Sequence, residues 1–447
     1  MPNSLKNRVT SKLLKEDQEL LAKTQAPIIT LSASFRDVVE AEHHIDDSLN
    51  HPDIVLSRAH YSMAYGAAIE AWGGDDPDPA KAWLVDPTNY VQAEQWSSVA
   101  FMERVGKVLA RYPLLTSVKR NILDRRARSK LPIEQAITQP LLSLVKNVES
   151  PLICFHIELG NILARNTNKT IVQAVTDPHV REQYTDFADK KNLYFAVFDE
   201  PTRERFLEIA ALRGKTVDPA HVVVTGPFVD PRVLAAGAKK SPTAWKKRPL
   251  RILLTTGGLG TNKPELGDAL DQLLPLLANK KPALNIELMY YAGTNEDHVD
   301  MVRNLAKKHG VTIGQTADTH AKLRVLFADD IVAANELLVE HGFPWADIAL
   351  AKPSGDMAYD ASAAGCALIL LGSWGEWEDN IAAIFTRLGL ARHAQLDQLV
   401  EQLQFIQQPI SGKLSWLEEA MHKAKEFESL FPNGVKNILK LARKIEL

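Results

Sequence analysis

The feature that most constrains this chain is an alternation of short apolar runs with helical segments, and the alternation occurs twice. The first series of apolar runs extends from residues 27–33 to 221–225, and a second series begins at Leu250. Strands that alternate with helices pair in parallel, because each helix carries the chain back to the start of the next strand. The sequence therefore predicts an α/β protein with two similar domains, followed by C-terminal helices.

The two series are separated by residues 238–249, a basic stretch with two prolines and no apolar period. Such a stretch is typical of an interdomain linker. We therefore expect an N-terminal domain at 1–237, a linker at 238–249 and a C-terminal domain at 250–428. A last helix at 429–447 follows, and its packing back on the N-terminal domain is left open.

Composition and charge exclude several classes of protein. The net charge is −3 over 447 residues, so no field attracts nucleic acid and no nucleic-acid partner is expected. Cys154 and Cys366 lie in apolar runs and are expected to be buried thiols in a reducing compartment. The sequence has no run of about 18 apolar residues that would span a bilayer. These features favour a cytoplasmic location, and attachment to the inner face of a membrane is left open.

The first loop of interest, residues 255–262, follows a strand and precedes a helix. Gly257, Gly258 and Gly260 allow the backbone to approach a ligand closely and to offer its N–H groups to a phosphate, and Thr261 lies in the same loop. The alternative is a tight strand-to-helix turn that binds nothing. The glycines alone do not separate the two interpretations.

The second loop begins where a strand ends at Lys352 and a turn through Ser354 and Gly355 opens a helix. A helix N-terminus beside a lysine suits a pyrophosphate. Asp360 lies one turn into that helix, where its carboxylate could accept two hydrogen bonds from a ribose diol. The alternative is an amphipathic helix that Ser354 caps and on which Asp360 is merely solvated.

The third loop, residues 372–380, again joins a strand to a helix. Glu376, Glu378, Asp379 and Asn380 supply acceptors for sugar hydroxyl groups, and Trp377 supplies an apolar ring face. An acidic first helical turn without any ligand has the same composition, because Glu and Asp are favoured at helix N-termini.

Taken in order, the three loops resemble the donor domain of the GT-B glycosyltransferases. They are most similar to the branch with the monogalactosyl- and glucosyl-diacylglycerol synthases and the lipid II-forming N-acetylglucosaminyltransferase. Residues 155–156, 175–179 and 224–232 resemble segments of the N-terminal half of the same branch. The resemblance implies two Rossmann-like domains facing across a cleft. It covers residues 151–394.

The resemblance also implies roles for individual residues. The three glycines with Ser354 and Gly355 would contact the donor's phosphates, and Asp360 would replace the family's ribose-binding Glu. Glu376 and Trp377 would lie near the sugar-contacting pair, and Asn380 matches an Asn of the same turn. The chain departs from the family at Met357, where a hydroxyl residue is usual, and at residues 32–37, where the family has a glycine-rich loop with a His.

The implied activity is transfer of a hexose from a nucleotide diphosphate sugar, expected to be a UDP-sugar, to an acceptor hydroxyl group. The family needs no metal, no metal-ligand set stands out in the sequence, and no cofactor is expected besides the donor substrate. The histidine-rich residues 40–47 are interpreted as a solvated helix face.

The base that activates the acceptor is expected in the N-terminal half, at the end of a strand. The candidates are His156, Asp177, His179 and Asp37, of which we favour His156 and Asp177. Each of them is also a residue type that caps turns.

The acceptor is less constrained by the sequence. The basic residues 119–130 suit an anionic membrane surface and hence a lipid acceptor, although a solvated basic helix has the same pattern. Two other functions remain open. One is a UDP-sugar 2-epimerase on the same architecture, and the other is a non-catalytic nucleotide-sugar-binding protein that lacks the glycine-rich loop at residues 32–37.

Overall fold

The computed structural model describes residues 3–34, 54–91, 95, 132–316, 318, 320–409 and 412–446. The chain divides into two compact units. Unit 1 comprises Met1–Asp230 with Phe431–Leu447, and unit 2 comprises Pro231–Leu430. Several features of the sequence lie outside the described residues: the candidate base Asp37, the histidine-rich residues 40–47 and the basic residues 119–130.

Unit 1 contains a parallel six-stranded sheet in the order β2-β1-β3-β4-β5-β6. Its strands are β1 (Ala26–Ile29), β2 (Ala82–Val85), β3 (Leu152–Cys154), β4 (Ile171–Ala174), β5 (Leu193–Val197) and β6 (Val222–Val224). Ile28 of β1 lies opposite Leu84 of β2 on one side and Ile153 of β3 on the other. The strand order therefore reverses between β1 and β3.

Unit 2 contains a second parallel six-stranded sheet, in the order β12-β11-β10-β7-β8-β9. Its strands are β7 (Leu250–Thr255), β8 (Ile286–Gly293), β9 (Leu323–Phe327), β10 (Ile348–Ala351), β11 (Ala367–Leu370) and β12 (Ala391–His393). Counted from β7, this is the classic dinucleotide-binding order, and it reverses between β7 and β10. Leu350 of β10 lies opposite Leu254 of β7.

The central strands form because their apolar runs are buried on both faces. Every residue of β10 and β11 is buried, as parallel strands between two helical layers require. Helices connect consecutive strands in both units, except that β4 and β5 are joined through a 3-10 turn, Glu182–Thr185. The expectation of two Rossmann-like α/β domains is therefore confirmed.

The helices follow the strands in the expected alternation. They are α1 (Asn3–Lys23), α2 (Arg58–Trp72), α3 (Pro132–Leu144), α4 (Ile157–Asn166), α5 (Glu200–Leu212), α6 (Pro231–Lys239), α7 (Lys263–Ala278), α8 (Glu296–Lys308), α9 (Ile331–Leu337), α10 (Phe343–Trp345), α11 (Met357–Ala363), α12 (Glu376–Arg387), α13 (Leu399–Ile406), α14 (Trp416–Lys425), α15 (Phe427–Leu430) and α16 (Gly434–Glu446). A π-helical turn, Leu338–Gly342, joins α9 to α10. No helix among the described residues is long and apolar enough to cross a bilayer.

The last helix, α16, is part of unit 1. The Asn437 amide Nδ2 donates to the Thr225 carbonyl oxygen at 2.9 Å, and the Gly434 N–H donates to the Pro227 carbonyl oxygen at 3.1 Å. Val435 and Ile438 are fully buried. The chain therefore completes unit 1 only after it has passed through all of unit 2.

Residues 238–249 lie within unit 2 and are attached to it at several points. Trp245 is buried in the unit 2 core. Lys246 Nζ lies 2.6 Å from Glu418 Oε1, and Arg248 donates to both carboxylate oxygens of the fully buried Asp347 at 2.6 and 2.9 Å. The division between the units falls between Asp230 and Pro231, before α6.

Helix α6 approaches helix α11 very closely in unit 2. A Cβ atom added at Gly237 would lie 1.9 Å from the Ala363 carbonyl oxygen. The two backbones can approach this closely because residue 237 has no side chain. The glycine therefore sets the position of α11, which carries Asp360.

We expect the Gly237→Ala substitution to destabilise the protein by about 1–3 kcal/mol, the usual cost of forcing extra atoms into a packed interior. The measurement is the free energy of unfolding in urea. Gly267→Ala is the matched control, because its Cβ would meet only the flexible Met301 sulfur at 3.3 Å. The control should be neutral or more stable by up to about 1 kcal/mol, since Ala favours helix over Gly. Equal stability of the two variants would contradict the proposed role of Gly237.

Candidate functional site

The loops that follow β7 and β10 meet at the point where the strand order of unit 2 reverses. A Cβ atom added at Gly257 would lie 2.9 Å from Lys352 Cε and 3.3 Å from Thr261 Oγ1. Open parallel sheets bind ligands at this point, beyond the carboxyl ends of the strands. The structure therefore brings together the first two loops that the sequence analysis singled out.

The third loop joins them through Asn262 and Glu265. The Asn262 amide Nδ2 donates to the Glu265 carboxylate and, at 3.1 Å, to the Gly372 carbonyl oxygen. The Gly372 N–H donates to Glu265 Oε1 at 3.1 Å. These contacts hold the glycine-rich loop to the start of residues 372–380.

The glycine-rich loop, residues 255–262, contains two residues with a left-handed backbone. Gly260 has φ of 65° and Asn262 has φ of 61°, both in the left-handed region. The Thr256 hydroxyl donates to the Thr261 carbonyl oxygen at 3.1 Å and closes the loop. Asn262 occupies the N-cap position of α7, but its side chain accepts no capping hydrogen bond. Gly257 and Gly258 are half-buried and reach the surface.

A buried tyrosine–histidine pair contacts the glycine-rich loop and stabilises it. The Tyr290 hydroxyl lies 2.6 Å from His298 Nδ1, and His298 Nε2 lies 3.3 Å from the Gly260 carbonyl oxygen. Because a carbonyl only accepts, the Nε2 atom is assigned the proton and the Tyr290 hydroxyl donates to Nδ1. Both side chains are fully buried, and burial raises the pKa of Tyr290 above its ordinary range. His298 lies 38 residues from Gly260, and nothing in the sequence pattern pointed to it.

Lys352 is paired with a buried glutamate. Its Nζ lies 2.6 Å from Glu378 Oε1, and the two side chains are 14% and 1% exposed. The second carboxylate oxygen of Glu378 accepts the Trp374 N–H at 2.6 Å. The sequence analysis identified Lys352 as a cation at the site but did not predict its pairing with Glu378. This pairing depends on the conformation of the third loop, which buries Glu378.

The Ser354 turn is tightly bonded within itself. The Ser354 hydroxyl donates to Asp356 Oδ1 at 2.6 Å and accepts the Met357 N–H at 3.3 Å. Ser354 and Gly355 are half-buried, while Asp356 is 6% exposed. Asp360 is 3% exposed in helix α11, so the alternative of a solvated carboxylate does not describe it.

The side chains of the third loop differ in exposure. Glu376 is exposed, whereas Trp377 and Asn380 are half-buried. The Trp377 ring packs over Gly375, where an added Cβ would lie 2.4 Å from its Cζ3 atom. The ring also meets Trp374 edge to face at 5.7 Å between centroids. Of the acidic side chains that the sequence analysis named in this loop, Glu378 is the buried one, with 1% of its side chain exposed.

The glycine-rich loop also contains a buried hydroxyl group that makes no hydrogen bond to the described residues. It belongs to Thr261, which is 3% exposed and whose Oγ1 atom has no hydrogen-bond partner among the described residues. Buried polar groups are nearly always paired, so an exception next to a bare glycine backbone marks a place for a polar ligand or water. This hydroxyl group lies beside the same Gly257 that Lys352 approaches.

In unit 1, a buried aspartate organises the segment after β1. Asp86 Oδ2 accepts the N–H groups of Ser32 and Ala33 at 2.7 and 3.1 Å, and its Oδ1 accepts from the Thr88 hydroxyl at 2.7 Å. Asp86 is fully buried, and desolvation raises its pKa above the ordinary value despite these hydrogen bonds. These hydrogen bonds hold the backbone at Ser32 and Ala33 in a defined conformation, although this segment contains no glycine.

The other candidate residues of unit 1 lie at the ends of β3 and β4. His156 is the N-cap of α4, where its Nδ1 accepts the Glu158 N–H at 3.1 Å. Asp177 is 8% exposed, and its Oδ1 accepts the His179 N–H at 2.9 Å. Both therefore cap turns in this structure, which is compatible with an additional role in chemistry. Desolvation is the main cause that lowers the pKa of the half-buried His179.

A further histidine, His60, joins this group from the first turn of α2. Its ring meets the His156 ring edge to face at 4.7 Å, and its Nε2 lies 3.2 Å from Thr176 Oγ1. The Thr176 hydroxyl in turn lies 3.3 Å from the Tyr184 hydroxyl. No pattern in the sequence singled out His60, because it lies in the first turn of an ordinary helix. Across the described ranges, no three His, Cys, Asp or Glu side chains converge as around a metal ion.

Comparison with known proteins gives information on the fold. No protein-family model matches the chain, and no curated protein sequence matches it. Among solved structures, the trehalose-6-phosphate synthase OtsA aligns with 94% of this chain and 98% of its own, at 13% identity and a TM-score of 0.52. At that identity the likeness concerns the fold alone.

Two other solved structures align over similar lengths at lower scores. MurG from Acinetobacter baumannii covers 94% of this chain and 99% of its own, with 13% identity and a TM-score of 0.47. A UDP-GlcNAc 2-epimerase from Neisseria meningitidis, bound to UDP-GlcNAc, covers the same shares at 10% identity and a TM-score of 0.46. With two parallel six-stranded sheets and an alignment with trehalose-6-phosphate synthase over nearly all of both chains, this protein has the two-Rossmann-domain fold of the GT-B glycosyltransferases.

Proposed function

We propose that the protein is a glycosyltransferase that moves a hexose from a nucleotide diphosphate sugar, expected to be a UDP-sugar, to an acceptor hydroxyl group. One observation carries the proposal. Where the strand order of unit 2 reverses, the half-buried Gly257 lies against both the Lys352 side chain and the Thr261 hydroxyl group. A bare backbone, a cation and an available hydroxyl group at such a point are the elements of a diphosphate site.

The leaving diphosphate would be stabilised by groups that are already in place. The N–H groups around Gly257 and Gly258 and the Lys352 ammonium would face the negative charge that develops as the glycosidic bond to the phosphate breaks. The Ser354 hydroxyl already donates to Asp356, so we assign phosphate binding at this turn to the backbone of Gly355. No metal is required by this arrangement.

The remaining donor groups are assigned by their positions around this site. Asp360 is proposed to accept from the ribose diol, and its burial supports an interaction stronger than a solvated carboxylate would make. Trp377 and Asn380, both half-buried, are proposed to contact the sugar together with the exposed Glu376.

Activation of the acceptor is assigned to unit 1. In neutral His156, the Nδ1 lone pair accepts the Glu158 N–H, so the ring proton is on Nε2 and this atom donates rather than accepts. We therefore propose Asp177 as the base, with His156 as a hydrogen-bond donor to the acceptor and His179 close to Asp177 along the chain. The acceptor itself stays open: a lipid is the expectation from residues 119–130, which lie outside the described residues.

The first test concerns the cation. We expect Lys352→Met to weaken UDP binding by about 10- to 100-fold, because a hydrogen bond to a charged group contributes roughly 1.5–3 kcal/mol. The measurement is the rise in melting temperature with UDP concentration, compared within each variant because the substitution also leaves Glu378 without its cation. Lys308→Met, which removes an exposed lysine paired with Asp271, is the control. Unchanged binding by Lys352→Met would reject the proposed site.

The second test concerns the support of the glycine-rich loop. Tyr290→Phe leaves the buried His298 Nδ1 without its donor, which should cost about 1–3 kcal/mol of stability. Because His298 in turn holds the Gly260 carbonyl oxygen, the affinity for UDP should fall as well. Denaturation in urea and UDP titration measure the two effects. A loss of stability with full affinity would show that the pair serves folding alone.

The third test concerns the reaction. We expect His156→Ala combined with Asp177→Ala to abolish hexose transfer while UDP binding stays within about threefold of the parent protein, well under the tenfold that corresponds to 1.4 kcal/mol. Transfer from a radiolabelled UDP-sugar to an acceptor pool is the assay, and unchanged turnover would reject both residues.

Incubation with a UDP-sugar alone separates the alternatives: an epimerised product favours a 2-epimerase, and binding without turnover favours a non-catalytic protein.

A further inference from the structure

We propose that Glu378 is an internal competitor for the Lys352 ammonium, so that a nucleotide diphosphate must displace this carboxylate to bind, and in doing so releases the backbone at Trp374. The inference rests on the proposed diphosphate site of unit 2. It adds to that site a conformational step that the fold does not imply.

The pair is compact and largely withdrawn from water. Lys352 Nζ lies 2.6 Å from Glu378 Oε1, with side-chain exposures of 14% and 1%. The other oxygen of Glu378 accepts the Trp374 N–H at 2.6 Å. One carboxylate therefore holds both the lysine after β10 and the backbone after β11.

The ammonium that Glu378 holds is the one that stands over the glycine-rich loop. A Cβ atom at Gly257 would lie 2.9 Å from Lys352 Cε and 3.6 Å from Lys352 Nζ. A phosphate bound to the backbone there would face the same ammonium, and the buried, available Thr261 hydroxyl lies beside it. The carboxylate and the phosphate thus require the same cation.

The exchange has a physical consequence for the third loop. A buried carboxylate that loses its cation carries a large desolvation penalty, so Glu378 is expected to turn out of its position when the phosphate takes Lys352. The Trp374 N–H then loses its acceptor, and residues 373–375 lose this attachment while Gly372 stays bound to Glu265 and Asn262. Since Trp374 and Trp377 pack edge to face, both rings are expected to move.

The alternative is that Glu378 only stabilises the start of α12. A glutamate at the third position of a helix commonly accepts a backbone N–H from the residues that precede it, as Glu378 does from Trp374. The two roles predict effects of opposite sign. Loss of a helix cap weakens or leaves unchanged the binding of a ligand, whereas loss of a competitor strengthens it.

The experiment titrates UDP and, separately, inorganic pyrophosphate into the full chain by calorimetry. We expect Glu378→Gln to bind both at least about tenfold more tightly, the factor that corresponds to about 1.4 kcal/mol. Asp379→Asn is the matched control, since it removes one exposed acid from the same helical turn and should change affinity less than about twofold. In the Lys352→Met background the gain from Glu378→Gln should vanish, because the contested cation is absent.

Hydrogen exchange of residues 372–380 gives an independent measurement on the unmodified protein. Saturating UDP should increase amide exchange in this segment if Glu378 is displaced, whereas a ligand that only covers the site would decrease it. Glu378→Asp, whose shorter side chain withdraws from Lys352 and keeps the charge, serves if Glu378→Gln does not fold. It should also bind UDP more tightly than the unmodified protein.

The outcomes separate the two proposals. Binding of UDP to the unmodified protein, with no gain in the Glu378 variants or with slower exchange at 372–380, overturns the competitor role and leaves the diphosphate site standing. UDP binding that appears only after substitution of Glu378 supports the competitor role most strongly. An absence of UDP and pyrophosphate binding in every variant overturns both the site and the competitor.

Discussion

The functional architecture of unit 2 depends on the parallel pairing of β7 with β10. These strands are far apart in sequence, yet Leu254 lies opposite Leu350 in the centre of the sheet. Because consecutive strands extend outward from this pair in both directions, the loops after β7 and β10 are free to open at the same edge. Every contact described between the glycine-rich loop and Lys352 follows from that pairing.

The charge of Lys352 is already balanced by Glu378 before any ligand binds, and Asp356 adds a further carboxylate at this edge. Lys352 faces Glu378, and Asp356 receives the Ser354 hydroxyl group. At the proposed site an anion would therefore be attracted less by net charge than by the backbone groups around Gly257. Such a site would discriminate by shape and hydrogen bonding, since ions that cannot reach the backbone gain nothing from a lysine that is already neutralised.

The sequence predicted the architecture well because strands buried on both faces are continuous apolar runs, as β10 and β11 are. The loops after β7, β10 and β11 could also be named, since ligand sites follow strands in such sheets. The sequence could not show whether Glu376 or Glu378 is buried, because this depends on the exact residue at which α12 begins. His298 was missed for a similar reason: its contact with Gly260 spans 38 residues and leaves no local pattern.

Sequence reasoning was also limited in unit 1. The segment after β1 lacks glycines, which suggested a lost site, yet Asp86 shapes its backbone from 54 residues away. His60 and His156 contact each other between α2 and the end of β3, a proximity that only the sheet order creates. Their positions show that polar side chains also gather at the carboxyl edge of this sheet.

The placement of α16 has a consequence for synthesis of the protein. Val435 and Ile438 fill the interior of unit 1, but a ribosome makes them some 200 residues after β6 has emerged, once all of Pro231–Leu430 is complete. Unit 2 is continuous in sequence and can fold while translation proceeds. Until α16 has been made, the nascent N-terminal portion exposes the apolar surface that this helix covers, and exposed apolar surface favours aggregation.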